Sequence, residues 1–216
     1  MILETSSFGP FETNVYIVGC FKTKKACIID APAGCVPFVM ERVKKHGLTV
    51  THLLFTHAHI DHIADASKLK DSFSVPLLIH TLDAPGLLHP WGKEMHSAFQ
   101  SAEGMEADQL LEEGDHISIG ELFFHVLFTP GHSPGCVCFY EKERNTLFSG
   151  DTLFKGCMGR VDLPGSSPSS MWKSLKKLST LPSSTRVFPG HGSETTIGDE
   201  DWMENAESIF SGGNDS

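Results

Sequence analysis

The chain has 216 residues, 40% hydrophobic and 20% charged, a composition that supports a folded core and lacks the high charge and low apolar content of disorder. Its 17 basic and 27 acidic residues give a formal net charge of −10, which argues against a general binder of nucleic acid or anionic membrane, because such proteins present a basic face to phosphate. No apolar run approaches the roughly 20 residues needed to span a bilayer, and Met1 to Asn14 show no basic segment followed by an apolar stretch and cleavage site, so a cytoplasmic location is expected.

Thr13 to Val18 and Ala26 to Asp30 are β-branched runs joined by a Lys-rich turn, which predicts two strands. Val36, Val39, Met40 and Val43 recur at helical spacing over Val36 to Lys45. His52 to Phe55 is a short apolar strand, followed at once by Thr56-His57-Ala58-His59-Ile60-Asp61-His62 and then by a helix expected from about Ile63 to Lys70. The histidine cluster therefore falls in a strand-to-helix loop, where α/β proteins commonly place their chemistry. Leu77 to His80 reads as another strand. From Thr81 to Glu113 the signal weakens into short helical pieces broken by Pro85, Gly86, Pro90 and Gly104, a surface excursion or a substrate lid. His116 to Ile119, Leu122 to Phe128, Cys136 to Glu141 and Thr146 to Phe148 follow as a block of antiparallel strands. Helices are expected over Ser170 to Leu178 and Asp199 to Phe210, a last strand over Arg186 to Phe188, and a frayed Gly-Gly-Asn-Asp-Ser end. The order of elements suggests two sheets stacked face to face with helices outside, in one domain over residues 1–216. Six cysteines are too few for a disulfide scaffold in a chain of this length, and reduced, mostly buried thiols are expected.

Seven polar residues stand at the ends of these strands: His57, His59, Asp61 and His62, then His132, Asp151 and His191. The last three sit in Thr129-Pro130-Gly131-His132, Gly150-Asp151 and Pro189-Gly190-His191-Gly192, where glycine allows a sharp turn or a close approach. Five imidazoles and two carboxylates at one edge of a sandwich suit borderline metal ions. In an extended loop His57 and His59 project to the same side and can chelate together, while Asp61 and His62, past a turn, can face a neighbouring position. Seven donors exceed one tetrahedral ion. Two ions sharing a bridging carboxylate and a bridging water absorb them, and such coordination brings the pKa of water toward roughly 7. The other seven histidines (His46, His52, His80, His89, His96, His116 and His125) read as face and loop residues.

Thr56 to His62 resembles the HxHxDH signature of the metallo-β-lactamase superfamily, with His132, Asp151 and His191 matching its remaining ligand positions in order. The resemblance implies an αββα sandwich of two mixed sheets flanked by helices. It also implies two divalent metal ions, zinc first and iron or manganese as alternatives. His57, His59 and His132 would hold the first metal, Asp61, His62 and His191 the second, and Asp151 would bridge; Asp61 would also orient the hydroxide.

Thr129 to Gly135 with Gly150-Asp151-Thr152-Leu153-Phe154, and Gly159-Arg160-Val161-Asp162-Leu163-Pro164-Gly165, resemble the glyoxalase II group in its short form, which lacks a separate C-terminal helical substrate domain. That implies hydrolysis of a small-molecule thioester such as an S-2-hydroxyacylglutathione. Where full-length enzymes place a glutathione-binding lysine and tyrosine, ungapped alignment puts Arg160 and Asp162. Arg160 could grip a substrate carboxylate through two hydrogen bonds or pair with Asp162 to shape the loop. The same Gly159 to Asp162 region also resembles persulfide dioxygenases, which would use one iron on His57, His132 and Asp151. A hydrolase of another ester or a lactone is a further alternative.

Overall fold

The computed structural model describes residues 1–211, so the expected frayed terminus lies outside the described residues. Among the described residues, twelve strands form two six-stranded sheets. The first takes β1 (Ile2–Phe8), β2 (Thr13–Gly19), β3 (Lys25–Ile29), β4 (Thr49–Leu54), β5 (Leu77–His80) and β6 (Gln109–Leu111) in sequence order. β1, β2 and β3 pair antiparallel, and β3 through β6 pair parallel. The second sheet runs β12 (Thr195–Thr196), β11 (Arg186–Pro189), β10 (Thr146–Gly150), β9 (Val137–Glu141), β8 (Leu122–Phe128), β7 (His116–Ile119). It is antiparallel except for the β10–β11 pair, so both sheets are mixed.

Strand alternation builds the layers. In β2, Tyr16 and Val18 face the second sheet, joining Phe124, Val126, Phe139, Phe148 and Phe188 in the central layer. Val15 and Ile17, on the opposite face, pack with Val39 and Val43 of α1 (Val36–His46) and with Leu69. On the far side, Cys138, Tyr140, Leu147 and Val187 meet Met171, Leu175 and Leu178 of a C-terminal helix. The result is helix, sheet, sheet, helix.

Several elements depart from the sequence expectation. β1 was not anticipated, because Glu4, Thr5, Ser6 and Ser7 give an edge strand no apolar signal. The helix expected from about Ile63 is two pieces, α2 (Ile60–Ile63) and α3 (Ala66–Phe73), so Asp61 and His62 lie within the first helical turn rather than ahead of the helix. Thr81 to Glu113 holds α4 (Ala84–Leu88), two 3-10 turns and β6. Helix α5 is Pro168–Leu178, capped by the Ser167 side chain. The helix expected over Asp199 to Phe210 is 3-10 over Asp201–Asn205 and α-helical only as α6 (Ala206–Ser211). All six cysteines are free, five of them buried.

β3, β4, β10 and β11 release their chains toward one edge, and contacts between the sheets close it. Thr13 bridges His191, Val137 N–H donates to Thr56 O at 2.9 Å, and the buried Tyr16 hydroxyl donates to Pro189 O at 2.6 Å.

Candidate metal centre

At that edge the structure brings all seven predicted donors together. Potential ligand atoms of His57, His59 and His132 lie within 4.8 Å of one another, as do those of Asp61, His62 and His191; a third such group, His57, His62 and Asp151, joins the two. His59 Nδ1 is 3.1 Å from His57 Nε2 and 2.7 Å from His132 Nε2. Asp151 lies between the groups, with Oδ1 3.3 Å from His62 Nε2 and Oδ2 3.3 Å from His132 Nε2.

Four of the five rings are aimed by a partner on the side away from the cluster. His62 Nδ1 meets Asp30 Oδ2 at 2.8 Å, His132 Nδ1 meets Arg160 O at 2.8 Å, His191 Nδ1 meets Phe11 O at 2.9 Å, and His57 Nδ1 meets Thr56 Oγ1 at 3.1 Å. Thr13 Oγ1 donates to Asp61 Oδ2 at 2.7 Å. Such outer contacts set the tautomer and orientation of a metal-binding imidazole. Asp30 adopts a left-handed φ of 60°, and its carboxylate also accepts from Thr56 N and Oγ1, the kind of backbone strain retained at functional sites.

The donors fit divalent cations. The His57, His59 and His132 nitrogens crowd to hydrogen-bond distance while two of the rings are engaged behind, a spacing that suits adjacent ligands around a cation bonded at about 2.0–2.1 Å. Among the described residues Asp151 Oδ1 is buried without a hydrogen bond, its near cationic neighbour being His62 Nε2 at 3.3 Å. A buried carboxylate oxygen left unmatched is costly unless something positive completes it.

The protein's own field divides the donors. Burial, with His62 and His59 adjacent, pushes His57 well below the ordinary imidazole range, and burial with His132 beside it takes His59 down to about 4. These two rings are neutral, ready to ligate. Burial works the same way on His62 and His191, but carboxylates overcome it: Asp151, Asp61 and Asp30 hold His62 well above its usual value, and Asp151 and Asp61 raise His191 to about 9. Against their own burial, Asp61 and Asp151 are kept charged by His62 and His191.

Arg160 lines the cleft, but its guanidinium is exposed and doubly bonded to Asp162, with Nε–Oδ1 and Nη2–Oδ2 both 2.9 Å. Its carbonyl, rather than its side chain, touches the donor set.

Two supports, Asp83 and Asn14, carry no signal in the sequence, and a third, Gly190, does. Asp83, 5% exposed, accepts from Ala58 N at 2.9 Å, Ser133 Oγ at 2.7 Å and Gly135 N at 2.6 Å, tying the His57–His59 loop to the His132 loop. Asn14 Nδ2 donates to Pro189 O and Gly192 O, both at 3.0 Å, on either side of His191. Gly190 has no room for a side chain, since a Cβ there would fall 2.1 Å from Asp151 Oδ1. The glycine-flanked strand ends signalled the last of these.

A cluster of imidazoles and carboxylates at one edge of an αββα sandwich defines a metal-binding protein of the hydrolase type. The family model described as "Metallo-beta-lactamase superfamily" matches residues 8–191, and the chain belongs to that superfamily. It is 41% identical over 205 residues to an uncharacterized protein of Aquifex aeolicus (93% of this chain, 94% of the relative) and 34% identical to the probable metallo-hydrolase YqgX of Bacillus subtilis (88% and 89%). Hydroxyacylglutathione hydrolase GloC of Haemophilus influenzae is 32% identical, over 82% of this chain and 84% of its own. Among solved structures, BLEG-1 B3 metallo-beta-lactamase superposes with a TM-score of 0.85 at 37% identity, covering 92% of this chain and 96% of its own. TTHA1623 in a di-iron-bound form gives 0.80 at 37% (91% and 96%), and ETHE1 from Myxococcus xanthus 0.77 at 28% (93% and 81%). The fold thus carries divalent metal, and a di-iron relative means that zinc is not the sole candidate.

Proposed function

We propose that the protein is a metal-dependent hydrolase that cleaves a thioester with water, using a pair of divalent cations. His57, His59 and His132 would hold one, Asp61, His62 and His191 the other, and Asp151 would bridge. Divalent ions held there make water acidic enough to act as a nucleophile near neutral pH and polarise a substrate carbonyl. The observation that carries the proposal is the convergence of the seven donors, with the buried Asp151 between the two groups and its Oδ1 lacking a hydrogen bond among the described residues.

The chain's own residues supply the rest. Asp61, fixed by Thr13, turns Oδ2 toward His191 Nε2 at 3.2 Å and can orient the attacking water and hold its proton. Phe11, Ile60, Trp91 and Met95 wall the approach. Burial pushes the nearby Cys136 and Cys138 thiols up, which keeps them protonated. Likeness to GloC supports testing an S-2-hydroxyacylglutathione first. For metal-loaded protein, S-lactoylglutathione and other thioesters should be cleaved faster than a lactone or a β-lactam. His59→Ala and Asp151→Ala should each abolish turnover while leaving a largely folded chain. Near-normal hydrolysis by either purified variant would overturn the proposal.

A second reading, a single-iron persulfide dioxygenase on His57, His132 and Asp151, leaves Asp61, His62 and His191 without a task. Oxygen uptake with glutathione persulfide, measured beside thioester cleavage, separates the two.

A further inference from the structure

Two hollows adjoin the donor cluster, sharing His59 and Trp91 as a common partition. The larger, about 430 Å³, faces the carboxylates and imidazoles on one side and Phe11, Ile60, Trp91, Met95 and Leu163 on the other. The smaller, about 240 Å³, continues past Trp91 toward Leu82, Pro134 and Pro164. Trp91 is 56% exposed, Met95 53% and Phe11 44%, so large apolar side chains stand uncovered at the mouth of an ionic site. An exposed apolar patch of this kind marks a surface that binds something apolar.

Of these side chains Phe11 is packed from behind, and the turn that carries Trp91 is closely packed at its backbone. Phe11 packs on the buried Phe99 with ring centroids 5.6 Å apart. Gly92, with a φ of 90°, brings the Trp91 turn so close to Ile60 and Met95 that a Cβ would fall 3.3 Å from Ile60 Cγ2 and 2.8 Å from Met95 Sδ.

The charges point the same way. Glutathione carries two carboxylates. Among the described residues lining either hollow, Arg160 is the one lysine or arginine, and both of its near nitrogens are engaged by Asp162. Asp83, in the smaller hollow, has its carboxylate filled by Ala58, Ser133 and Gly135. The two carboxylates of a glutathione arm have little to meet here, and an uncharged apolar arm has a built wall.

We infer that the substrate is a thioester bearing a bulky apolar, preferably aromatic, acyl group that lies against Phe11, Trp91 and Met95, with Trp91 as the principal specificity-determining residue and with no requirement for a glutathione thiol. The inference rests on the hydrolase proposal above and narrows its substrate class.

Four substrates test it with metal-loaded protein: the S-acetyl and S-phenylacetyl thioesters of N-acetylcysteamine and of glutathione. On either thiol, kcat/KM for phenylacetyl should exceed that for acetyl by at least about tenfold, within what apolar pocket contacts supply. Changing the thiol should matter less than about threefold, far below the discrimination of a site built for that thiol's polar groups. In Trp91→Ala the phenylacetyl-to-acetyl ratio should fall to near one. A tenfold preference for glutathione esters whatever the acyl group, or an unchanged ratio in the variant, overturns the inference and leaves the hydrolase proposal standing. Cleavage of none of the four defeats the hydrolase proposal. The apolar arm is then judged by calorimetric titration of metal-loaded protein with two uncleavable thioethers of N-acetylcysteamine, S-(4-phenylbutyl) and S-methyl. At least about tenfold tighter binding of the first, lost in Trp91→Ala, supports it, and equal binding refutes it.

Discussion

Replacing Asp83 by alanine tests how far the donor loops depend on a residue outside the donor set. Its carboxylate serves three groups in a nearly solvent-free place: two backbone N–H donors, of Ala58 and Gly135, and the Ser133 hydroxyl. Ser133 can turn to Cys136 Sγ, 3.0 Å away, so its loss is partly absorbed. Among the described residues the two N–H groups have no other acceptor. At about 1–3 kcal/mol for each buried donor left unpaired, the variant should lose roughly 2–6 kcal/mol of stability. In a chain of this size about 1 kcal/mol moves Tm by some 2–4 °C, so even the lower bound is a drop of roughly 4–8 °C. Because Ala58 lies between His57 and His59 and Ser133 follows His132, metal affinity should also fall, by about 10–100-fold if Asp83 acts like other outer supports of metal ligands. Thermal melting and chelator competition read the two effects. Asp83→Asn keeps the shape and one good acceptor and should fall between wild type and alanine in both. An alanine variant that melts within a degree of wild type and holds its metal equally tightly would refute the reasoning.

Gly190→Ala should abolish tight metal binding without unfolding the sheets, because the new methyl would occupy space within 2.1 Å of Asp151 Oδ1; elemental analysis of the variant checks it. In the metal-free protein His191 is raised to about 9, so its protonated form contributes stability that is fully present below about pH 6.5 and is lost as pH climbs through 9. Metal must displace that proton. His62, also held protonated, must lose its proton as well, so apparent affinity should strengthen as pH rises from 6.5 through 9, with proton release visible by calorimetry in buffers of different ionisation enthalpy; binding without proton release would contradict this. Arg160→Ala should change kcat/KM for a glutathione thioester by less than about threefold, since its side chain is an exposed pair with Asp162; a tenfold loss would restore it as a substrate-gripping residue.

What was legible in the sequence follows from distance along the chain. The four donors between His57 and His62 are dense enough to see, and His132, Asp151 and His191 each follow a run of strand-forming residues and sit beside glycine. Helices α1 and α5 carry their buried faces at regular spacing, although Met40, placed by periodicity on the inner face of α1, is 43% exposed. The supports were illegible for the opposite reason. Asp83 meets Gly135 across 52 positions and Asn14 meets Pro189 across 175, and nothing local distinguishes either residue from an ordinary polar one. β6 is three residues long and borrows its conformation from pairing with β5. The 3-10 turn at Asp201–Asn205 replaces a regular helix where Glu200, buried, turns to bond Thr195 Oγ1, Gly156 N and Trp202 Nε1. Arg160 shows the limit of motif reasoning: its position drew attention to a guanidinium, while the group that meets His132 is the backbone carbonyl, which any residue would supply.

The pairing of two cations in one donor set is tested most directly by metal stoichiometry. Purified protein, stripped with chelator, equilibrated with excess zinc or ferrous iron and freed of loose metal, should hold two equivalents per chain by elemental analysis, and Asp151→Ala should retain at most one. A wild-type value of one or none with both metals, in protein shown to be folded, would contradict a dinuclear centre.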